Sequence, residues 1–220
     1  MEELIKSIHT THKTFWTKDT ILSLVKGVGL FILALVIQHY AYNYIDNRAE
    51  VTAVGDILLN NLPTVNLDFF IVQGALIFTF VLIILFVLYP RYIFFAIKAL
   101  SLFLIIRSFF ITLTHLGVNL HQTTLNTHAL GFGLYDFLYN AKNDFFFSGH
   151  VGSLFLFGLI FWAKPVWRYI FFIGSFIFGV SMILAHMHYS IDVFAAPFIT
   201  YSIFIIAKNL FKKDFELLRA

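Results

Sequence analysis

The chain has 220 residues, 60% of them hydrophobic and only 12% charged, with a formal charge of +3 and a mean hydropathy of +0.84. Soluble domains carry about 25% charged residues, so composition argues against a water-soluble globule, and 29 phenylalanines suit packing in lipid and along its interface. The basic residues fall in loops between apolar runs, where membrane topology accounts for them better than nucleic acid does. With no cysteine, disulfides and thiolate metal sites are out of reach.

Residues 1–20 are polar and basic and lack the apolar core and cleavage site of a signal peptide, so they are expected to form a cytoplasmic segment ahead of a retained anchor. The first apolar run covers about residues 21–44, enough for the ~20 residues that cross ~30 Å of hydrocarbon. A polar connector at 46–66 carries Asp46, Glu50 and Asp56. The second and third runs, about 67–88 and 92–114, are separated by Tyr89-Pro90-Arg91, and the third holds Lys98 and, deeper, Arg107. Residues 115–143 form a long mixed connector with His121, His128, Gly131, Gly133 and Asp136, too polar to span and expected to make re-entrant or interfacial structure over a site. Runs at about 151–162 and 169–185 form a hairpin around a polar turn at 163–168, and a sixth run covers 190–206. The expectation is an all-α, six-span bundle, with residues 21–208 as the membrane domain and 209–220 as a basic tail.

Orientation follows from the basic residues. With the N-terminus inside, 12 of the 15 Lys and Arg lie on the cytoplasmic side, leaving Arg48, Lys142 and the intramembrane Arg107. This asymmetry predicts both termini in the cytoplasm. It also puts the start of the fourth span and the end of the fifth on the exoplasmic side of the cell membrane.

Two blocks meet at that level. The first is Asp144-Phe-Phe-Phe-Ser148-Gly149-His150; the second is His186-Met-His188-Tyr-Ser-Ile-Asp192. His188 and Asp192 are four residues apart, on one face if the sixth helix starts early enough, and a carboxylate on Nδ1 would fix the imidazole tautomer and aim Nε2 outward. His150 could supply the complementary acid, which together suits phosphoryl transfer through a phosphohistidine without metal or other cofactor. Ser148-Gly149 opens a helix: Ser is a good cap, and free amides beside glycine favour phosphate. Simpler roles stay open: a helix start for Ser148 to His150, and an interfacial hydrogen-bonded pair for His188 and Asp192. Arg107 contacts phosphate or forms a structural ion pair, and Asp144 orients His150 or pairs with Arg107. His186 is expected to pack or hydrogen-bond; His121 and His128 read as surface histidines.

The blocks Asp144-x-x-x-Ser148-Gly149-His150 and Ala185-His-Met-His188-Tyr-Ser-Ile-Asp192-Val193 resemble the signatures of sphingomyelin synthases, within the type 2 phosphatidic acid phosphatase superfamily. Arg107 with Thr114 and Leu116 resembles a further block. The resemblance implies that His188 is the nucleophile, Asp192 its orienting carboxylate and His150 the proton donor to the leaving group. Phe147 and Met182 stand where superfamily phosphatases carry Pro and Arg, which points toward the synthase-like branch. The expected partners are a phospholipid donor and a lipid alcohol or water as acceptor. A non-catalytic lipid-binding or transport protein that keeps the fold is the alternative.

Overall fold

The computed structural model of the chain describes residues 15–47, 53–114, 116–119, 121–139 and 145–218, and among them every regular element is helical. Helix α1 (Lys18–Asp46) starts at a reciprocal cap. Thr17 Oγ1 accepts from the Thr20 amide at 3.3 Å, and Thr20 Oγ1 accepts from the Thr17 amide at 2.8 Å, which satisfies two donors the helix start would otherwise orphan. A π-helical turn (Phe69–Gln73) runs straight into α2 (Gly74–Leu88), and Tyr89-Pro90 turns the chain into α3 (Arg91–Leu113). The second connector contains the short α4 (Phe132–Tyr139). Then come α5 (Gly149–Ile160), α6 (Pro165–Leu184), α7 (Ser190–Leu210) and the one-turn α8 (Lys212–Glu216).

Five stretches are long and apolar enough to cross a bilayer: Lys18–Asp46, Phe69–Leu88, Arg91–Leu113, Pro165–Leu184 and Ser190–Leu210. The remaining expected span is shorter. Helix α5 has 12 residues, and at ~1.5 Å per residue it covers about 18 Å of a ~30 Å hydrocarbon layer. Most of its side chains are buried because α3, α6 and α7 pack around it, and a helix enclosed by protein has no lipid thickness to match. The chain is thus a multi-pass helical membrane protein.

Helix α3 is the axis, with eleven buried residues. Against it lies α1, through the small-residue stripe Gly27, Ala34 and Ala41. A methyl group on Gly27 would stand 2.6 Å from Ile97 Cγ2, so the close approach of these two backbones needs glycine, as small residues do at membrane helix interfaces. Helices α5, α6 and α7 complete the bundle on the other flank of α3. At the end opposite the histidine blocks, the C-terminal segment folds back. Lys98 is buried, and its ammonium meets Asp214 Oδ2 at 2.5 Å and Ser23 Oγ at 2.8 Å. Phe215 packs on Phe95 at 5.2 Å between ring centroids. Residues 212–216 of the expected basic tail are therefore docked on the bundle, because a lysine buried at this depth requires a carboxylate partner.

Candidate functional site

The second block is shaped by the end of α6. The His186 amide donates to the Ile183 carbonyl and the Met187 amide to the Met182 carbonyl, each at 3.0 Å, the paired bonds of a Schellman stop. His186 takes the left-handed position of that motif, with φ +53°, where histidine is enriched over most non-glycine residues. Its ring lies 3.3 Å from Thr64 Oγ1, so it hydrogen-bonds as expected. Helix α7 then begins at Ser190 with Tyr189 as its N-cap. His188 consequently precedes the helix, and its contact with Asp192 is made across the cap, not along one helical face as the spacing suggested.

The outcome is nonetheless a direct pair. Asp192 occupies the third helical position, where the helix dipole favours a carboxylate, and its Oδ2 accepts from the Tyr189 amide at 3.1 Å and lies 3.3 Å from His188 Nδ1. The backbone bond sets the carboxylate, and the carboxylate sets the ring. Both residues are buried. With an ionised Asp192, Nδ1 carries the proton and Nε2 keeps its lone pair.

The first block reaches this pair through strained backbone. Phe146 and Phe147 have φ +96° and +33°, conformations that cost about 1–3 kcal/mol each for residues of this bulk. Helix α3 holds the strained turn at two points. Thr114 Oγ1 donates to the Phe145 carbonyl at 3.2 Å, and Arg107 Nε donates to the Phe147 carbonyl at 3.1 Å. Arg107 Nη1 also donates to the Tyr42 hydroxyl of α1 at 2.9 Å, which itself takes a bond from Gln38 Nε2 at 2.7 Å. Arg107 thus finds a carbonyl partner inside the bundle. Asp144, expected to orient His150 or pair with Arg107, lies outside the described residues.

Ser148 holds the N-cap position of α5, but its hydroxyl makes no cap bond: Oγ is buried and has no hydrogen-bond partner among the described residues. Its amide instead donates to the Asp192 carbonyl at 2.9 Å, which locks the two blocks together. The first bond along α5 runs from Gly152 to the Ser148 carbonyl, so the amides before it open the helix without intrahelical acceptors. Gly149 is pressed against the guanidinium: an added Cβ would lie 3.1 Å from both Arg107 Cζ and Nε. At the next residue, the His150 ring stacks near Phe178, with centroids 5.6 Å apart at 17°. His150, His188, Asp192, Arg107, Ser148 and Gly149 therefore share one end of the bundle. Among the described residues, no group of three His, Cys, Asp or Glu side chains could hold a metal ion.

The connectors at 46–66 and 115–143 are tied to the same place. The Tyr189 hydroxyl donates to the Gly117 carbonyl at 2.7 Å and accepts from the Val54 amide at 3.1 Å, and Thr123 bonds the Ala185 carbonyl through both its amide and its hydroxyl. Asp56, buried in the first connector, caps α7 from outside. Its Oδ2 accepts from the Ser190 amide at 2.7 Å, and its Oδ1 from the Leu58 and Leu59 amides at 2.9 and 3.2 Å. Burial pushes this carboxyl up, but the bonds from Ser190, Leu59 and Leu58 together hold it below the usual 3.8.

A cavity of about 470 Å³ opens beside the first block. Arg107, Tyr42, Gln38, Gly149 and His150 line its polar end, and Phe31, Phe78, Phe86, Ile93 and Ile97 its apolar length; His188 and Asp192 lie outside its walls. From Ile93 to Arg107 the wall follows α3 for about 21 Å at ~1.5 Å per residue.

Reading the sequence alone passed over Tyr42, Tyr135 and a role for Asp56. Gln38 and Tyr42, a polar pair one turn apart in a mainly apolar span, are the signal that could have exposed the first. Asp56 sits in an irregular polar segment, and Tyr135 in a helix of only eight residues inside a polar connector, too short for a periodicity to mark it. His121 and His128 are exposed, as a surface reading expects.

Fold and site together define a polytopic helical membrane protein with a buried His-Asp pair at the same end of the bundle as a second histidine and an arginine. Residues 143–209 match the family model described as PAP2 superfamily C-terminal. That segment contains both blocks, and the match supports the type 2 phosphatidic acid phosphatase superfamily, and with it a lipid-related function of phosphatase type, without distinguishing any branch. No curated protein and no solved structure matches the chain significantly.

Proposed function

We propose that the chain is an integral membrane enzyme that takes a phosphate or phospho-head group from a lipid onto His188 and passes it to water or to a second lipid alcohol. The observation that carries the reading is the His188–Asp192 contact of 3.3 Å, set by the Tyr189 amide and joined by backbone to the turn that presents His150. In the first half-reaction the His188 Nε2 lone pair forms the N–P bond while the P–O bond to the lipid breaks. His150 gives its proton to the departing oxygen, and Asp192 balances the charge on the His188 ring. In the second half, His150 takes the proton from water or an alcohol, whose oxygen bonds to phosphorus as the N–P bond breaks. Arg107 and the first amides of α5 favour the anionic phosphoryl oxygens, since an arginine beside a helix N-terminus is a ready anion site.

The cavity supports a lipid as substrate. Its polar end carries Arg107 and His150, and its mainly apolar wall, about 21 Å long from Ile93 to Arg107, suits an acyl chain better than a water-soluble phosphate ester. The resemblance to sphingomyelin synthases favours transfer to a lipid alcohol over hydrolysis, and the positive-inside asymmetry favours an exoplasmic site. Replacing His188 by Ala is expected to abolish turnover of a phospholipid panel in detergent, read by mass spectrometry with and without ceramide or diacylglycerol, while the melting profile stays that of the parent. Turnover is expected to persist in excess chelator. Undiminished turnover by His188→Ala contradicts the reading, and loss with chelator that zinc restores contradicts the metal-free step.

A further inference from the structure

Tyr135 has no part in the chemistry above, yet it is only 2% exposed although it belongs to a short helix in a polar connector. Its hydroxyl lies 3.3 Å from His150 Nε2, and the two rings are near-parallel, with centroids 5.9 Å apart. Leu134 and Leu138 of the same helix are exposed, so α4 turns its tyrosine inward and leaves larger apolar surface outside. Phe132 packs beside Tyr135, with ring centroids 6.2 Å apart.

We propose that Tyr135 is a positioning residue for His150, keeping Nε2 aimed at the oxygen that leaves the lipid phosphate and later at the oxygen that accepts the phosphoryl group. The proposal rests on the reaction given above. A general acid that must become a base in the next half-reaction needs a neighbour suited to both protonation states. A phenol hydroxyl is donor and acceptor at once: it accepts from Nε2–H before the proton leaves and rotates to donate to the bare Nε2 afterwards. No proton is gained or lost by Tyr135, so the balance of the two half-reactions is unchanged. At 3.3 Å the contact is long for a hydrogen bond, so a substrate oxygen at ~2.6–3.2 Å, the distance proton transfer requires, becomes the nearer partner of Nε2. Phe178, stacked on the same imidazole, limits its tilt but has no polar atom to choose between the two nitrogens.

The test compares the full chain and Tyr135→Phe, which keeps the ring and its packing, on two substrates: a lipid phosphate monoester, whose alkoxide must be protonated to leave, and p-nitrophenyl phosphate, whose leaving group needs no proton. Tyr135→Phe is expected to lower kcat/KM on the lipid phosphate about tenfold, a modest share of the 10²–10⁴ that general acids supply, and to leave kcat/KM on p-nitrophenyl phosphate nearly unchanged, because kcat/KM reports the steps up to departure of the leaving group and not the dephosphorylation both substrates share. Equal losses on both substrates make Tyr135 merely structural and overturn the proposal, as does no loss on either. Nitrogen-15 NMR of the histidines gives a measurement independent of turnover: the His150 Nε2 resonance is expected to move in Tyr135→Phe, and an unmoved resonance overturns the proposal. Full turnover by His188→Ala in the same assay marks failure of the reaction itself, with the NMR result still deciding the Tyr135 contact.

Discussion

At the scale of single residues, Gly149 joins the two requirements of an anion site. Its lack of a side chain lets the Arg107 guanidinium lie against the first turn of α5, where an added Cβ would come within 3.1 Å of Cζ and Nε. The guanidinium is braced elsewhere by the Phe147 carbonyl and the Tyr42 hydroxyl, so it cannot yield without breaking one of these bonds. Gly149→Ala is therefore expected to raise KM for a lipid phosphate about tenfold, equivalent to ~1.4 kcal/mol, with little change in thermal stability, since alanine is the better helix former. An unchanged KM in Gly149→Ala would mean that Arg107 does not contact the substrate. The strained pair Phe146-Phe147 belongs to the same logic. Its cost persists because Phe147 is enclosed by Phe103 and Phe110 and because α3 fixes the carbonyls on either side of Phe146.

At the scale of elements, the site is made of helix ends. Helix α6 stops at its Schellman turn, α7 starts two residues after His188, and α5 starts at Ser148, so none of the three needs to bend to bring its terminal residues together. Asp56 matters here because it satisfies the first amide of α7 from another part of the chain. Its carboxyl titrates below 3.8 in the folded protein. The stabilisation it gives is thus complete above that value and is lost as pH falls through the lower folded value. Asp56→Asn is expected to melt at a lower temperature near neutral pH, by the ~1 kcal/mol typical of a lost cap, and to show a shallower fall in melting temperature below pH 4 than the parent. Identical acid limbs in the two proteins would show that Asp56 is not the group responsible.

For the whole molecule, α3 is the element on which everything is hung: α1 and the cavity along its length, the docked C-terminal turn at one end and the strained turn at the other. The Lys98–Asp214 pair closes the end away from the site. Lys98→Met leaves a buried carboxylate unpaired and is expected to destabilise the protein by ~3–5 kcal/mol, whereas the double change Lys98→Met with Asp214→Leu recovers most of that loss. A double variant as unstable as the single one would assign the effect to packing, not charge. Orientation in the bilayer has a direct test because the chain has no cysteine. A cysteine at Leu130, 88% exposed near the site, is expected to react with an impermeant maleimide added to intact cells. One at Lys212, exposed at the opposite end, is expected to react only after permeabilisation. The reverse pattern would put the site on the cytoplasmic side.

What the sequence determined by itself was the part governed by local chemistry. Apolar runs long enough for a bilayer declare themselves residue by residue, since lipid leaves the backbone no alternative to helix, and the ends of the observed helices fall within a few residues of those runs. The two blocks were legible because histidine, serine and aspartate stand out at the rims of apolar segments. Tertiary structure alone decided how helices rotate against one another, and so decided that Arg107 bonds Tyr42 and a strained carbonyl, that His188 meets Asp192 across a cap, and that Asp56 and Tyr135 close on the site from the connectors. Those contacts join positions far apart in the chain and arise from packing complementarity, which leaves no period or composition for a linear reading to find.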